Sequence, residues 1–438
     1  MKLSLFTAAP ALLLASSTVF AQQAAPAAPA AAAPVAPAAA PAPVADAPAT
    51  AAAPAPAPEL PAPAAAPLPP PADMLPPPPP PPADSPLPTK LGISKEGWWQ
   101  PGATLQFWAF GANQAGDTTT TLRIRRAELR VKGEIIPKFF AFNVMFDPAR
   151  ALDVNKSTIA VTPATKGDPS PGTVSVANQG STVTILQDYF ITLQSDYADV
   201  TLGQFKIPVS LEGYGSASKL LFPERAIVSR KFGDARDLGI KIDKKIGKNF
   251  YYQVAVFNGE GQNKLDTNAQ KDLALRLEVY PIDGITIGAV GYASAHNRTT
   301  TATTKDRVEG DLKIDLADFV LQAEYIHGWD GPTNVARTES AGAYAALGYT
   351  IAKTVQPLVR IGAFDANVRK DLPGTKGEHG PTNTPLSAGI NDEITSYELG
   401  LNYFLKGNDA KLMASWSHFV MKDETNRGEV ILGAQAAF

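Results

Sequence analysis

The sequence predicts an all-β fold, a 16-stranded antiparallel transmembrane β-barrel with a disordered N-terminal extension. Three observations lead there. Short segments alternate apolar and polar residues with period two, long and short connections fall on opposite sides of the strand order, and an export-type leader precedes an abrupt change of composition. In 272–280, Leu273, Leu275, Leu277 and Val279 share one face, while Asp272, Arg276 and Glu278 share the other. In 308–316, Val308, Leu312, Ile314 and Leu316 oppose Glu309, Asp311, Lys313 and Asp315. A soluble sandwich turns such an apolar face inward, whereas a membrane barrel turns it toward lipid and keeps a wet lumen. Connection lengths decide between them.

Strands are expected near 103–111, 121–132, 138–147, 182–195, 197–205, 236–244, 249–258 and 270–280. The second half continues with 284–293, 306–316, 318–327, 341–350, 354–366, 391–404, 409–421 and 429–438. Odd-to-even connections include the long stretches 148–181, 206–235 and 367–390. Even-to-odd connections are brief, as at 281–283, 351–353 and 405–408. Short periplasmic turns and longer outside loops make this pattern, and an even strand count returns both ends to one rim. Closure also satisfies the backbone groups that lipid cannot bond. Trp98, Trp99, Phe107, Trp108, Phe110, Tyr280, Tyr292, Trp329, Tyr403 and Phe404 fall near the expected strand ends, where aromatic residues suit a membrane boundary.

Ahead of the barrel, 1–21 reads as a secretory signal. Lys2 leads an apolar stretch, and Val19-Phe20-Ala21 offers a cleavage site. Residues 22–90 form a low-complexity Ala/Pro region holding most of the chain's 40 prolines, including the unbroken run Pro76 to Pro82. Proline removes backbone donors and interrupts helices, so this segment is expected to be an extended periplasmic tether with possible cell-wall contact. The barrel domain is expected over 91–438, in the outer membrane of a Gram-negative cell.

Cysteine is absent, which excludes disulfides, thiolate metal sites and lipoprotein acylation. Lys and Arg total 39 against 42 acids, so net charge points to no nucleic-acid partner. His296, His327, His379 and His418 are widely spaced, and no nucleophile elbow or phosphate-binding helix motif occurs. The reading is a non-enzyme without cofactor or metal.

The run Leu122-Arg123-Ile124-Arg125-Arg126-Ala127-Glu128-Leu129-Arg130-Val131, followed by Gly133, resembles an early strand motif of the phosphate-selective porin O and P family. A second resemblance runs from Val200 through Gly203-Gln204-Phe205-Lys206 to Glu212, then Phe222-Pro223-Glu224-Arg225-Ala226 and Arg236-Asp237-Leu238-Gly239. It implies an outer-membrane channel for small anions, including phosphate or polyphosphate, commonly trimeric. The partners implied are inorganic anions, outer-membrane lipid and two further copies of the chain. The alternative is a broad-specificity porin that also ties the envelope together through its tether.

Two groups of residues are candidates for anion contact. The connection after the fifth strand carries Lys206, Lys219, Arg225, Arg230 and Lys231, beside the acids Glu212, Glu224 and Asp234. Folded inward, it would form the constriction, where Arg offers two aligned donors and Lys a mobile charge. On the wall, Arg126, Arg130 and Lys132 share the parity of Glu128 and are expected to face the lumen, as are Arg276 and Lys313. Arg123 and Arg125 have the opposite parity; they either sit at the outer rim or follow a bulge that resets the phase. Glu278, Glu309, Asp311, Asp315, Glu324 and Glu398 accompany the wall cations, so the lumen is expected to be mixed in charge.

Overall fold

The structure is a computed structural model describing residues 90–92, 96–153, 158–162, 173–177, 185–294, 303–332, 337–370, 383–386, 393–422 and 424–438. The expected signal and all but Lys90 of the expected tether lie outside the described residues, as do His296 and His379.

Val, Ile, Thr and aromatic residues with period-two spacing build long strands from the first turn onward. They are β1 (Trp98–Gln114), β2 (Asp117–Ile136), β3 (Phe140–Phe146) and β4 (Leu186–Leu193). Next come β5 (Asp199–Lys206), β6 (Arg236–Ile246), β7 (Phe250–Phe257) and β8 (Asp272–Val279). The order continues with β9 (Ile285–Ala293), β10 (Thr303–Leu316), β11 (Phe319–Pro332) and β12 (Thr338–Tyr349). Last are β13 (Val355–Asp365), β14 (Glu393–Lys406), β15 (Ala410–Met421) and β16 (Arg427–Ala437). Each pairs antiparallel with its neighbour, and β16 returns to β1 in a register running from Arg427↔Gln114 to Ala437↔Thr104. The barrel is closed. A short hairpin, Thr158–Thr162 with Thr173–Ala177, stands apart in the β3–β4 connection.

The two faces invert those of a soluble core. Leu122 is 83% exposed on the outer wall, and Leu273, Ile361, Leu399, Leu432 and many similar residues share that face. The inner face buries Gln106, Arg126, Gln253, Arg276, Glu324, Arg360 and Lys411. Such an exterior needs lipid, and strands are what cross it. Among the described residues no helix is long and apolar enough to span a membrane.

One irregularity resolves the alternative left open for β2. Gln106 opposes Arg126, but the next residue, Phe107, opposes Ile124, which leaves Arg125 as an inserted residue. The bulge puts Arg125 and Arg126 on the lumen side together and carries Arg123, opposite the buried Trp108, to that side as well. The rim placement of these arginines is therefore wrong. Three expected boundary aromatics also need correction. Trp108 and Phe110 are 2% exposed and pack inside the barrel with Ala112 and Ile431, while Tyr292 joins the larger inner cluster. Their parity points them inward, which position along the strand does not reveal.

Candidate functional site

The β5–β6 connection, 207–235, does not stay outside. It carries two short helices, α1 (Leu211–Tyr214) and α2 (Ile227–Phe232), with a 3-10 turn at Ala217–Lys219 between them. Apolar residues drive it inward: Phe222, Ile227, Val228 and Phe232 pack against wall residues including Val320, Ile326, Leu358, Phe364, Ile394 and Phe419. Arg360 covers the Phe222 ring at 4.3 Å. Its polar backbone is met by the wall. Ser210 and Leu211 donate N–H bonds to Glu309 (2.6 Å) and Glu324 (2.8 Å). Leu221 O accepts from Asn402 (2.9 Å), Leu220 O from Lys411 (2.8 Å) and Ser218 O from Gln435 (3.0 Å). The loop thus reaches strands from β8 round to β2.

A second connection comes down to meet it. The Leu386 backbone N–H donates to Glu429 (2.6 Å), Arg427 donates to Thr384 O (2.7 Å), and the Leu386 side chain enters the cluster with Val228 and Phe232. Arg230 donates to the Leu386 carbonyl, which fastens α2 to this segment of the β13–β14 connection.

Charge is segregated across the loop. Toward β1–β6, Arg125, Arg126, Arg150, Lys206, Arg225, Arg230 and Arg236 gather around Glu128, Asp147, Asp188, Glu224 and Asp234. Asp234 alone meets Arg150, Lys206, Arg225 and Arg236. Burial would raise its carboxyl, but Arg225, Lys206, Arg236 and Arg150 hold it well below the usual carboxylate range. Glu224 behaves alike: burial opposes ionisation, and Arg125, Arg126, Arg230 and Arg225 overcome it. Toward β8–β14 the balance reverses. Of six carboxyls, those of Glu212, Glu278, Glu309, Asp311 and Glu398 make ion-pair contact with only Arg276 and Arg360 among the described residues, and that of Glu324 meets only Ser210 and Leu211.

The sequence candidates fall into three groups. Arg225 and Arg276 are buried and consumed by protein partners. Arg225 bonds the Glu212 carbonyl (3.0 Å) and Asp234 (3.1 Å), while Arg276 meets Glu278, Glu309 and Asp311. Lys206 joins them, donating to Gly213 O (2.8 Å) and Gly215 O (2.7 Å). Arg126 and Arg130 are inner-wall residues with spare donors. Arg126 Nη1 meets Gln106, but Arg126 Nη2 and Arg130 Nε have no protein partner; Arg230 also leaves Nε unpaired. Lys132, Lys219 and Lys231 are exposed, and Lys313 is part-exposed beside Asp315 at 3.6 Å. The wall groups and the loop groups therefore do not form one continuous ladder.

Residues missed by the sequence reading include Arg360, which clamps Glu398 with Nε (2.8 Å) and Nη2 (2.7 Å) and reaches Glu212 with Nη1 (3.2 Å). Its parity with Gln356 and Leu358 was the available signal. Ser210 and Arg150 carried no comparable mark.

The model of the family described as "Phosphate-selective porin O and P" matches residues 105–317, from within β1 to the end of β10. No curated protein sequence matches the chain. Among solved structures, an anion-selective porin from Comamonas acidovorans is similar at 10% identity, over 78% of this chain and 100% of that one, with a TM-score of 0.50. Salmonella typhi OmpF, in complex with daunomycin, is similar at 9% identity, over 80% and 100%, with a TM-score of 0.52. These likenesses establish the shared barrel.

Proposed function

This chain belongs to the phosphate-selective porin O and P family, and from that premise we propose that it is a diffusion channel for small anions, phosphate among them. It is an outer-membrane porin. The observation that carries the anion reading is the cation-rich half of the lumen, where seven basic residues gather around five acids and Arg130 stays part-exposed on the inner wall of β2. A passing oxyanion is attracted by that excess of positive charge while most of the cations stay engaged with acids, so contact is brief and passage continues. Lys132, Lys219 and Lys231 are exposed and supply mobile charge at separate points. Arg225, Lys206 and Arg276 have a different task, which is to hold the loop and its surroundings in shape.

The chain is further proposed to assemble as a homotrimer in outer-membrane lipid, with 22–90 as its periplasmic tether. Chemical cross-linking in detergent tests the first claim, and envelope fractionation of a chain lacking 22–90 tests the second.

Reversal potentials in planar bilayers under a KCl gradient test the anion reading. The wild-type channel is expected to pass chloride faster than potassium, and phosphate to reduce the chloride current. Replacing both Arg126 and Arg130 by Ala should lower the permeability ratio. A cation-preferring wild type, or a ratio unmoved by the double replacement, would count decisively against it.

A further inference from the structure

The acidic half of the lumen is built in a way that anion passage does not require. Glu309, Asp311 and Glu324 are nearly sealed from solvent, and Glu324 touches no cation: its Oε2 accepts from Leu211 N and Ser210 Oγ (3.3 Å), and its Oε1 has no partner. Asp311 Oδ1 and the Tyr344 hydroxyl are likewise unpartnered. Asp311, Glu324 and Tyr344 are successive cross-strand partners, so three unsatisfied oxygens lie in one row. Buried carboxylates outnumbering their counter-charges repel one another strongly in a low dielectric.

The crossing loop adds one carboxyl to this set, Glu212. From its own loop it is faced by the Ala226 N–H, which donates to Oε2 (2.7 Å), and by the charge of Arg225, whose Nε bonds the Glu212 backbone carbonyl. From the wall it is faced by Arg360 on β13, Glu398 on β14, Glu324 on β11 and Tyr344 on β12, with Glu309 and Asp311 on β10 behind them. Arg360 is already clamped on Glu398 by two bonds and gives Glu212 one. Arg225 is engaged with Asp234. The five wall acids are fixed to strands. Glu212 alone can leave, by moving with the loop.

We propose that Glu212 is a positioning residue whose protonation holds the 207–235 loop across the lumen, so that the channel is narrow in acid and widens as pH rises. Two further observations agree. Burial raises the Glu212 carboxyl above its ordinary range, against the pull of Arg360 and Arg225. Ser210, whose N–H and hydroxyl meet Glu309 and Glu324, has φ 74°, a conformation that L-residues rarely adopt and that docking must enforce. The linkage has a definite sign. A carboxyl raised when docked and ordinary when released favours docking below the ordinary range, and this contribution disappears as pH passes the docked value.

Single-channel conductance of the full chain is measured across pH 4–10, with wild type and Glu212→Gln side by side. The wild type should show an upward conductance step with rising pH, and the amide variant should remain at the narrow level throughout. A wild-type conductance without such a step, or a variant that keeps it, overturns the proposal. This inference rests on the channel reading but not on anion preference, so a pH step in a cation-selective pore would still support it. Hydrogen exchange of 210–215 in the wild type gives a variant-free readout, corrected for intrinsic rate and referenced to β14. Protection lost with rising pH supports the latch, and protection unchanged overturns it, even if no current were seen.

Discussion

Arg125 donates from Nε to Glu224 Oε2 at 3.1 Å, with its Nη2 in ion-pair contact with the same oxygen at 3.0 Å, and so ties the bulge of β2 to the crossing loop. Its guanidinium lies over the Trp108 ring at 5.3 Å. An inserted residue on the wall thereby becomes an anchor for the crossing loop. Four arginines contribute to keeping Glu224 ionised, so this carboxylate occupies space that a solute anion would otherwise contest.

Replacing Glu224 by Gln should therefore increase anion preference. Arg125, Arg126, Arg225 and Arg230 lose their shared counter-charge, and the permeability ratio in a salt gradient should shift further toward chloride. Phosphate should block more strongly, because release from a more positive site is slower. A shift toward potassium would refute this account.

Arg225→Ala should act on stability before selectivity. Removing one partner of a buried ion pair leaves the other charge uncompensated, at about 3–5 kcal/mol for fully buried pairs. Asp234 retains Arg150, Lys206 and Arg236, which places the expected loss at the lower end. Thermal unfolding in detergent should shift downward, with noisier single-channel current.

The two ends of the loop should respond oppositely to pH. Asp234 is depressed when folded, so its contribution is complete above the ordinary carboxylate range and is lost only as pH falls through the folded value. Glu212 is raised, so its contribution is lost as pH rises. Asp234→Asn should remove the strong-acid sensitivity of loop protection while leaving the response to rising pH in place. Hydrogen exchange resolved by segment checks both.

Leu386→Ala should loosen the segment that descends onto α2. Leu386 is 3% exposed within the inner cluster, and truncating a buried leucine typically costs about 2–5 kcal/mol. Calorimetry on the detergent-solubilised protein measures the loss, and recordings should show briefer, more frequent openings. Unchanged melting would show that the segment contributes little.

On the outer wall, Leu399 is 54% exposed, a level at which a soluble protein would accept a charge. Leu399→Arg should instead destabilise the protein in lipid, by about 2–4 kcal/mol if it sits near the bilayer midplane. Denaturant titration in bilayers against the wild type measures this directly.

The strands were legible because a period of two survives in single residues: Leu273, Leu275 and Val279 face out while Arg276 and Glu278 face in. The opposite rims were legible from connection lengths alone. The phase of β2 was not, since one inserted residue flips every later side chain and Arg125 carries no local mark of insertion. The 206–235 connection stood out by its length and its basic residues, yet Arg225 and Arg230 could not be sorted by task. Their partners, Asp234, the Glu212 carbonyl and the Leu386 carbonyl, depend on a fold that brings distant segments together.

The crossing loop is gripped by residues from both ends of the barrel sequence, among them Gln106 on β1 and Gln435 on β16. Those grips exist only after the carboxy-terminal strands have joined the amino-terminal ones. The crossing loop is thus the last element to acquire its place, because loop-closure entropy delays contacts so far apart in sequence. Refolding into vesicles should close a leaky cylinder first and gain its selectivity in a later, slower phase.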